Sequence, residues 1–268
     1  AERDKLLHMV EDHIPYNERM VWNVNINGIV IQLITNDQHL MDFWIENWFP
    51  ERLIGIRPQG TIYAVIGLEG EEPRAYYNSE TKTAIFINTD YYGQVKAYAL
   101  GIVADIMEIQ HDIHCIHGAV VDIGGCGICV MSPSGTGKST HAYNLSKNIL
   151  NARLNSDDWF YVEYLGGRGQ RASVEVSERR FYIRTAIADN FPELKPLFDR
   201  CKLENVGSSY GHVPNSRAMV DPLWIGGPNK FIHTTRIRAV ILLRRDHENP
   251  LEEKLRPDDA IDILREGK

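Results

Sequence analysis

Residues 132–142, SPSGTGKSTHA, restrict the fold of this chain more than any other segment. They follow the apolar run GICVM (127–131), which is typical of a strand, and lead into THAYNLSKNIL, whose apolar residues recur at helical spacing. A strand, a glycine-rich turn and a helix in this order are the context of a phosphate-binding loop. The sequence therefore predicts an α/β fold with such a loop at the end of one strand.

In a loop of this kind, backbone N–H groups face phosphate oxygens and the positive end of the helix dipole assists them. We expect Lys138 to reach the β- and terminal phosphates and the Ser139 hydroxyl to bind Mg²⁺. Ser132 stands where the common motif has Gly, and a small residue there still permits the turn. The residues predicted to bind a nucleotide are Ser134, Gly135, Thr136, Gly137, Lys138, Ser139 and Thr140.

Two adjacent acids, Asp157 and Asp158, follow the segment LNARLNS, which we expect to form a short strand beside the strand that leads into the loop. Both carboxylates would then lie at the carboxyl end of a strand, where open α/β sheets bind ligands. One acid suffices to hold a metal ion, and a second can accept a proton from an attacking hydroxyl. Ser-Asp-Asp also suits a turn or a helix cap, but the loop upstream favours a catalytic role.

The order of these motifs resembles a known family. HGAVVDI (117–123), Gly-x-Gly, an apolar strand, SGTGKST and SDD are similar to the core of the HPr kinase/phosphorylase family and of the related phosphoenolpyruvate carboxykinases. The clear match covers about residues 115–162. A fainter match lies at PNSRAMVDP (214–222) and the following RAVILLRR (238–245), which we expect to be a buried strand.

The resemblance implies roles for individual residues. His117 would be an active-site histidine. Asp158 would be the base that accepts the proton of the acceptor hydroxyl, and Asp157 would face the metal ion. Arg217 would neutralise charge on the transferred phosphoryl group, a task that suits a planar, permanently charged guanidinium.

Two further assignments leave alternatives open. The resemblance implies a metal-binding Glu near SERRFYIRT (177–185), for which Glu178 is the candidate and Glu175 competes. Arg184 is a candidate for binding an anionic substrate, and an ordinary surface arginine on a strand is an equal alternative.

Together these features predict a kinase that requires Mg²⁺ or Mn²⁺ and transfers a phosphoryl group to a hydroxyl of a small molecule or of a protein serine. ATP is the expected donor, and ADP and pyrophosphate stay open because no adenine contact is identifiable. The alternatives are a P-loop NTPase and a nucleotide-binding regulator without catalysis. A simple NTPase would show a single acid closing a hydrophobic strand and no spare carboxylate, and a regulator has no evident use for the set His117, Asp158 and Arg217. Carboxykinase chemistry is disfavoured, because no residues upstream resemble its oxaloacetate or second-metal ligands.

Composition narrows the partners and the compartment. A net charge of −7 over 268 residues argues against nucleic acid as the main partner, and no apolar run approaches a membrane span of roughly 18 residues. The charged N-terminus does not resemble a secretory signal, and four cysteines do not make a disulfide framework, so we expect a cytoplasmic protein. A homo-oligomer is compatible with the sequence.

The resemblance implies a P-loop core of the phosphoenolpyruvate carboxykinase/HPr kinase type at residues 111–268. Residues 1–110 match neither family, and their own patterns predict a smaller α/β domain. Within residues 1–110 the patterns predict strands at 24–35 and 61–68, a hairpin at 75–88, and helices at 39–49 and 93–110.

The pair Cys126-x-x-Cys129 has the spacing of a zinc or redox site. Residues three apart in a strand face opposite sides, so we do not expect the two thiols to share a metal ion.

Overall fold

The structure, a computed structural model, describes residues 2–133, 135–166, 171–204, 216–245 and 252–266, which fold as a mixed α/β chain. Its strands are β1 (Met20–Ile26), β2 (Ile29–Thr35), β3 (Phe49–Pro50), β4 (Gly60–Val65), β5 (Arg74–Asn78), β6 (Thr83–Ile87), β7 (Ile113–His117), β8 (Ala119–Ile123), β9 (Cys126–Met131), β10 (Ala152–Ser156), β11 (Trp159–Leu165), β12 (Arg171–Val176), β13 (Phe181–Arg184), β14 (Arg217–Val220) and β15 (Thr234–Leu242). Its α-helices are α1 (Glu2–His13), α2 (Gln38–Asn47), α3 (Tyr92–His111), α4 (Lys138–Asn148), α5 (Lys195–Phe198), α6 (Leu223–Gly226) and α7 (Pro257–Glu266).

The chain forms two compact units, and the first contains Ala1–Cys115 and Ser177–Asp221. Its main sheet has the strand order β3-β1-β2-β4-β6-β5. Leu6 and Val10 of helix α1, together with Ile14 directly after the helix, pack on the sheet residues Val65 and Ile87. Helix α2 contacts β1 and β2, and α3 contacts β4. The smaller sheet of this unit pairs β13 with β14.

The predicted elements of residues 1–110 are confirmed. The β-rich segment 24–35 is the hairpin β1–β2, which turns at Asn27 and Gly28, a pair typical of two-residue hairpin turns. The hairpin predicted at 75–88 is β5–β6, and the two helical patterns are α2 and α3. These segments are recognisable from the sequence because their patterns are local and regular.

The first unit also includes the segment Ser177–Asp221, which the sequence analysis placed in the domain 111–268. Hydrogen bonds of Asn47, through its side chain and its backbone, explain the position of this segment. The Asn47 amide donates to Glu178 Oε1 and to the Arg180 carbonyl, each at 2.8 Å, and the Arg179 N–H donates to the Asn47 carbonyl at 2.8 Å. These partners are more than 130 positions apart, so no local pattern indicates their association.

The second unit contains Ile116–Val176 and Pro222–Lys268. Its sheet has the strand order β10-β8-β9-β15-β12-β11-β7, and the boundary between the units falls within β7. One core cluster joins residues of five strands: Val120, Cys129, Phe160, Val174 and the partly buried Ile237. Helix α4 packs on β8, β9 and β10.

Two expectations about this sheet are wrong. LNARLNS does form a strand, β10, but β8 separates it from β9, because HGAVVDI and GICVM are close in sequence and pair as a hairpin. The strand β15 is not buried: Val240 is 54% exposed and Ile241 is 41% exposed. Pairing with β9 and β12 satisfies its backbone but does not cover these side chains.

Among the helices of the described residues, none combines the length and the apolar character that crossing a membrane requires.

Candidate functional site

Three of the predicted motifs of the second unit meet at one edge of its sheet. β9 and β10 are each antiparallel to β8, so β9 and β10 run in the same direction and their carboxyl ends lie at the same edge. The phosphate-binding loop follows β9, and Asp157 and Asp158 follow β10. β8 begins at this same edge, directly after His117 and Gly118.

The loop curls around the side chain of Lys138, the first residue of α4. Lys138 is buried, and its Nζ donates to the carbonyls of Ser132 at 2.9 Å and Pro133 at 3.4 Å. The Thr136 hydroxyl donates to the Pro133 carbonyl at 2.6 Å and contacts the Ser132 hydroxyl. Ser134, which the sequence analysis assigned to nucleotide binding, lies outside the described residues.

Two glycines allow the backbone to follow this path through the loop. Gly135 has φ +81° and Gly137 has φ +115°, in the region that residues with a Cβ rarely adopt. The Gly residues of SGTGKST therefore serve a backbone need in this loop.

The environment of Lys138 joins it electrostatically to the paired aspartates. Burial lowers the pKa of Lys138 from its usual 10.5, while the negative charges of Asp158 and Asp157 oppose that decrease. The ammonium group and both carboxylates therefore act on one another.

Asp158 and His117 form a pair at the surface of this site. His117 Nε2 lies 3.2 Å from Asp158 Oδ1, and the two side chains are 40% and 36% exposed. The imidazole stacks on the indole of Trp159, with ring centroids 5.2 Å apart and planes at 29°. Trp159 has a place in the site that the sequence did not indicate, since an aromatic residue at the start of a strand is usually part of the core.

Gly118 fixes the distance between the two segments that carry this pair. Its N–H donates to the Asp158 carbonyl at 2.8 Å. A Cβ at this position would lie 2.8 Å from the Val130 carbonyl oxygen and 3.0 Å from the Phe160 ring. Glycine after His117 therefore lets the two strands approach closely enough for His117 to reach Asp158.

The residues predicted for Mg²⁺ in this unit are hard oxygen donors. Asp157 is buried, and Ser139 is half-buried in the first turn of α4, beside Thr140. The described residues contain no group of three or more His, Cys, Asp or Glu side chains arranged for a metal ion. One carboxylate and one hydroxyl fit Mg²⁺, which keeps several waters and takes phosphate oxygens as ligands.

Glu178 belongs to the first unit, where Lys96 Nζ lies 3.0 Å from its Oε1 and the two side chains are 3% and 2% exposed. Its competitor Glu175 lies on β12 of the second unit and accepts a hydrogen bond of 2.7 Å from the Thr234 hydroxyl. The Glu178 carboxylate is thus already balanced by an ammonium group.

Arg184 and Arg217 also belong to the first unit, and they are direct partners across the antiparallel pair β13–β14. The Arg217 guanidinium lies over the Tyr182 ring, 5.7 Å from its centroid. Like charges directly opposite each other destabilise a sheet, and an anion between them would relieve that repulsion. Arg217 is the first residue of the strand β14.

No model of a known protein family matches the chain, and no curated protein matches its sequence.

Proposed function

We propose that this protein is a cytoplasmic kinase that transfers a phosphoryl group from a nucleotide to a hydroxyl of a small molecule or of a protein serine. The observation that carries the proposal is the partly exposed Asp158–His117 pair, located at the sheet edge where the loop around Lys138 begins. A nucleotide-binding loop alone does not need a carboxylate that is open to an acceptor. The proposal includes the HPr kinase-like core that the sequence motifs resemble.

In the proposed reaction, the acceptor hydroxyl gives its proton to the Asp158 carboxylate while its oxygen attacks the terminal phosphorus. The bond from that phosphorus to the bridging oxygen breaks, and the nucleoside diphosphate leaves with the electron pair. His117, at 3.2 Å, orients the Asp158 carboxylate, and the stack on Trp159 holds the imidazole in place.

The remaining residues would stabilise charge and positions. Lys138 and the loop N–H groups would bind the phosphates. Ser139 and Asp157 would hold Mg²⁺, which when bound neutralises phosphate charge. Arg184 and Arg217, opposite each other in β13–β14 of the first unit, would bind an anionic group there.

The acceptor is sought first by incubating the protein with γ-labelled ATP and Mg²⁺ in the presence of fractionated metabolites or lysate proteins. Label transferred to an acceptor supports a kinase. Label released as phosphate without any acceptor would indicate an NTPase, and binding without turnover would indicate a regulator.

The variants Asp158→Asn and Asp157→Asn then test the mechanism. Asp158→Asn keeps the size of the side chain but cannot accept the proton, so we expect turnover to fall by about 10²–10⁴ with nucleotide affinity largely unchanged. Asp157→Asn removes charge next to the metal ion and should instead weaken Mg²⁺-dependent nucleotide binding. Nucleotide Kd and the single-turnover rate are measured for both variants.

Each aspartate variant is the control for the other, because a general loss of stability would affect neighbours alike. If Asp158→Asn loses nucleotide binding but keeps its rate at saturation, Asp158 is not the base and the proposed transfer to a hydroxyl loses its chemical support.

A further inference from the structure

The end of β15 runs along the phosphate-binding loop. β15 is parallel to β9, with Leu242 opposite Met131, and the Leu243 N–H donates to the Met131 carbonyl at 2.9 Å. The chain after β15 therefore emerges at the same edge as the loop. Arg245, on this segment, donates from Nη2 to the carbonyl of Gly135 at 2.8 Å.

This contact has a consequence for the peptide group between Gly135 and Thr136. A trans peptide is planar, so its carbonyl and its N–H point in opposite directions, and the described residues contain no cis peptide bond. When Arg245 holds the Gly135 carbonyl, the Thr136 N–H is directed away from the guanidinium. Gly135 is the residue least able to fix this orientation by itself, because glycine has access to both signs of φ.

Lys138, the cation inside the loop, contacts other carbonyl groups than Arg245 does. Lys138 donates to the carbonyls of Ser132 and Pro133, at the start of the loop. Arg245 therefore holds a different part of the loop, and each cation engages carbonyl oxygens that would repel a phosphate if they turned towards it.

We propose that Arg245 is a positioning residue of the phosphate-binding loop: it fixes the Gly135–Thr136 peptide so that the Thr136 N–H is presented to a bound phosphate. The inference rests on the proposed nucleotide-binding function of this loop. It adds a residue that the sequence motifs do not contain, since Arg245 lies more than a hundred positions after Gly135.

The test uses pyrophosphate with Mg²⁺ as the ligand, so that it does not depend on the acceptor or on the nucleoside. Calorimetric Kd values are compared for the wild type, Arg245→Ala, Arg245→Lys and the control Arg238→Ala, which removes an exposed arginine earlier on β15. The amide signal of Thr136 is followed by NMR in the same titrations, and thermal unfolding checks each variant.

We expect Arg245→Ala to weaken pyrophosphate binding by about tenfold, as the loss of one charge-assisted hydrogen bond implies, and to reduce the ligand-induced shift of the Thr136 amide. Arg245→Lys retains a charged donor and should recover part of the pyrophosphate affinity and part of the ligand-induced shift of the Thr136 amide. Arg238→Ala should behave as the wild type.

Unchanged affinity in Arg245→Ala, or an equal loss in Arg238→Ala, would overturn the inference. So would weaker binding with an unchanged Thr136 shift, because the arginine would then act only through its charge. If the wild type binds neither pyrophosphate nor nucleotide, the proposed function fails as well; if it binds and transfers phosphate but Arg245→Ala is unaffected, only the role of Arg245 fails.

Discussion

At the scale of single residues, the environment of Lys138 in the candidate site changes its acid–base chemistry. Burial lowers its pKa from 10.5, since a charged ammonium loses hydration, and the charges of Asp158 and Asp157 counteract only part of this. A bound phosphate favours the protonated form of Lys138. Ligand binding and protonation of this residue are therefore linked.

The first prediction follows from this linkage. ADP should bind with constant affinity at pH values below the pKa of ligand-free Lys138, and its affinity should fall as the pH rises through that pKa, by up to about tenfold per pH unit. The measurement is the Kd of Mg-ADP from pH 7.5 to 10.5, a range that ends at the usual lysine pKa.

Lys138→Arg is the matched control, because a guanidinium stays protonated throughout this range. Its affinity should be independent of pH even if it is lower. Wild-type affinity that stays constant up to pH 10.5 would contradict the assignment of Lys138 to the phosphates.

Short motifs contain the residues that the sequence analysis expected at one sheet edge and that the structure also places there. Lys138, Asp157 and Asp158 stand in segments whose strand and turn patterns are legible, so their convergence at one sheet edge followed from general rules of α/β sheets. Trp159 and Arg245 were not predicted, because their contacts with His117 and Gly135 depend on how strands are placed in space.

At the scale of elements, the strand β9 tests the prediction that residues three apart in a strand face opposite sides. Cys126 and Cys129 lie three residues apart in this strand, and the structure confirms that they face different environments: Cys126 is exposed and Cys129 is buried. Burial also raises the pKa of the Cys129 thiol to about 12. The two thiols are therefore not arranged to bind one metal ion.

We predict a corresponding difference in thiol reactivity, because the thiolate is the reactive form. Iodoacetamide at pH 8 should modify Cys126 in the native protein and should leave Cys129 unmodified until the protein is unfolded. Peptide mass spectrometry over time distinguishes the two sites, and the denatured protein serves as the control. Equal rates in the native protein would show that the side-chain directions along β9 are wrong.

Gly118 is a point of close approach between strands of the site. Gly118→Ala places a Cβ 2.8 Å from the Val130 carbonyl oxygen, so the strands must separate. We expect a loss of about 1–3 kcal/mol in the free energy of unfolding and a strong decrease in turnover, because His117 and Asp158 move apart. Denaturant unfolding and a transfer assay measure the two effects.

Gly166→Ala is the control for that change, since a Cβ there meets no atom of the described residues within 4 Å and its φ lies outside the left-handed region. It should change the unfolding free energy by less than about 0.5 kcal/mol. If Gly118→Ala were as stable and as active as this control, the close approach would not matter for the site.

At the scale of the whole molecule, local patterns indicated most strands and helices, but they did not indicate how the chain is divided. The first unit includes Ser177–Asp221, and contacts of Asn47 and Lys96 with Glu178 hold this segment in it. These contacts join positions far apart in the sequence. Similarly, the apolar run of β15 predicted burial, whereas burial depends on what covers a strand and not on its own composition.

The last prediction concerns the buried pair Lys96–Glu178. It distinguishes a structural role of Glu178 from a role in metal binding. Both side chains are almost fully buried, 3.0 Å apart, and the Asn47 amide also donates to the Glu178 carboxylate. Glu178→Gln keeps an acceptor for Asn47 but leaves the Lys96 ammonium without its counter-charge. Removing one partner of a buried ion pair costs about 3–5 kcal/mol.

We therefore expect Glu178→Gln to lower the unfolding free energy of the first unit strongly, and Lys96→Met added to it to restore much of the loss, because the double variant buries no unbalanced charge. Denaturant unfolding of the full chain measures this cycle, and Mg²⁺ titration of nucleotide binding is measured on the same variants. If Glu178 is a structural residue, the Mg²⁺ dependence of folded Glu178→Gln equals that of the wild type. If stability is unchanged while the Mg²⁺ requirement rises several-fold, the carboxylate binds the metal ion and the ion pair with Lys96 is not its function.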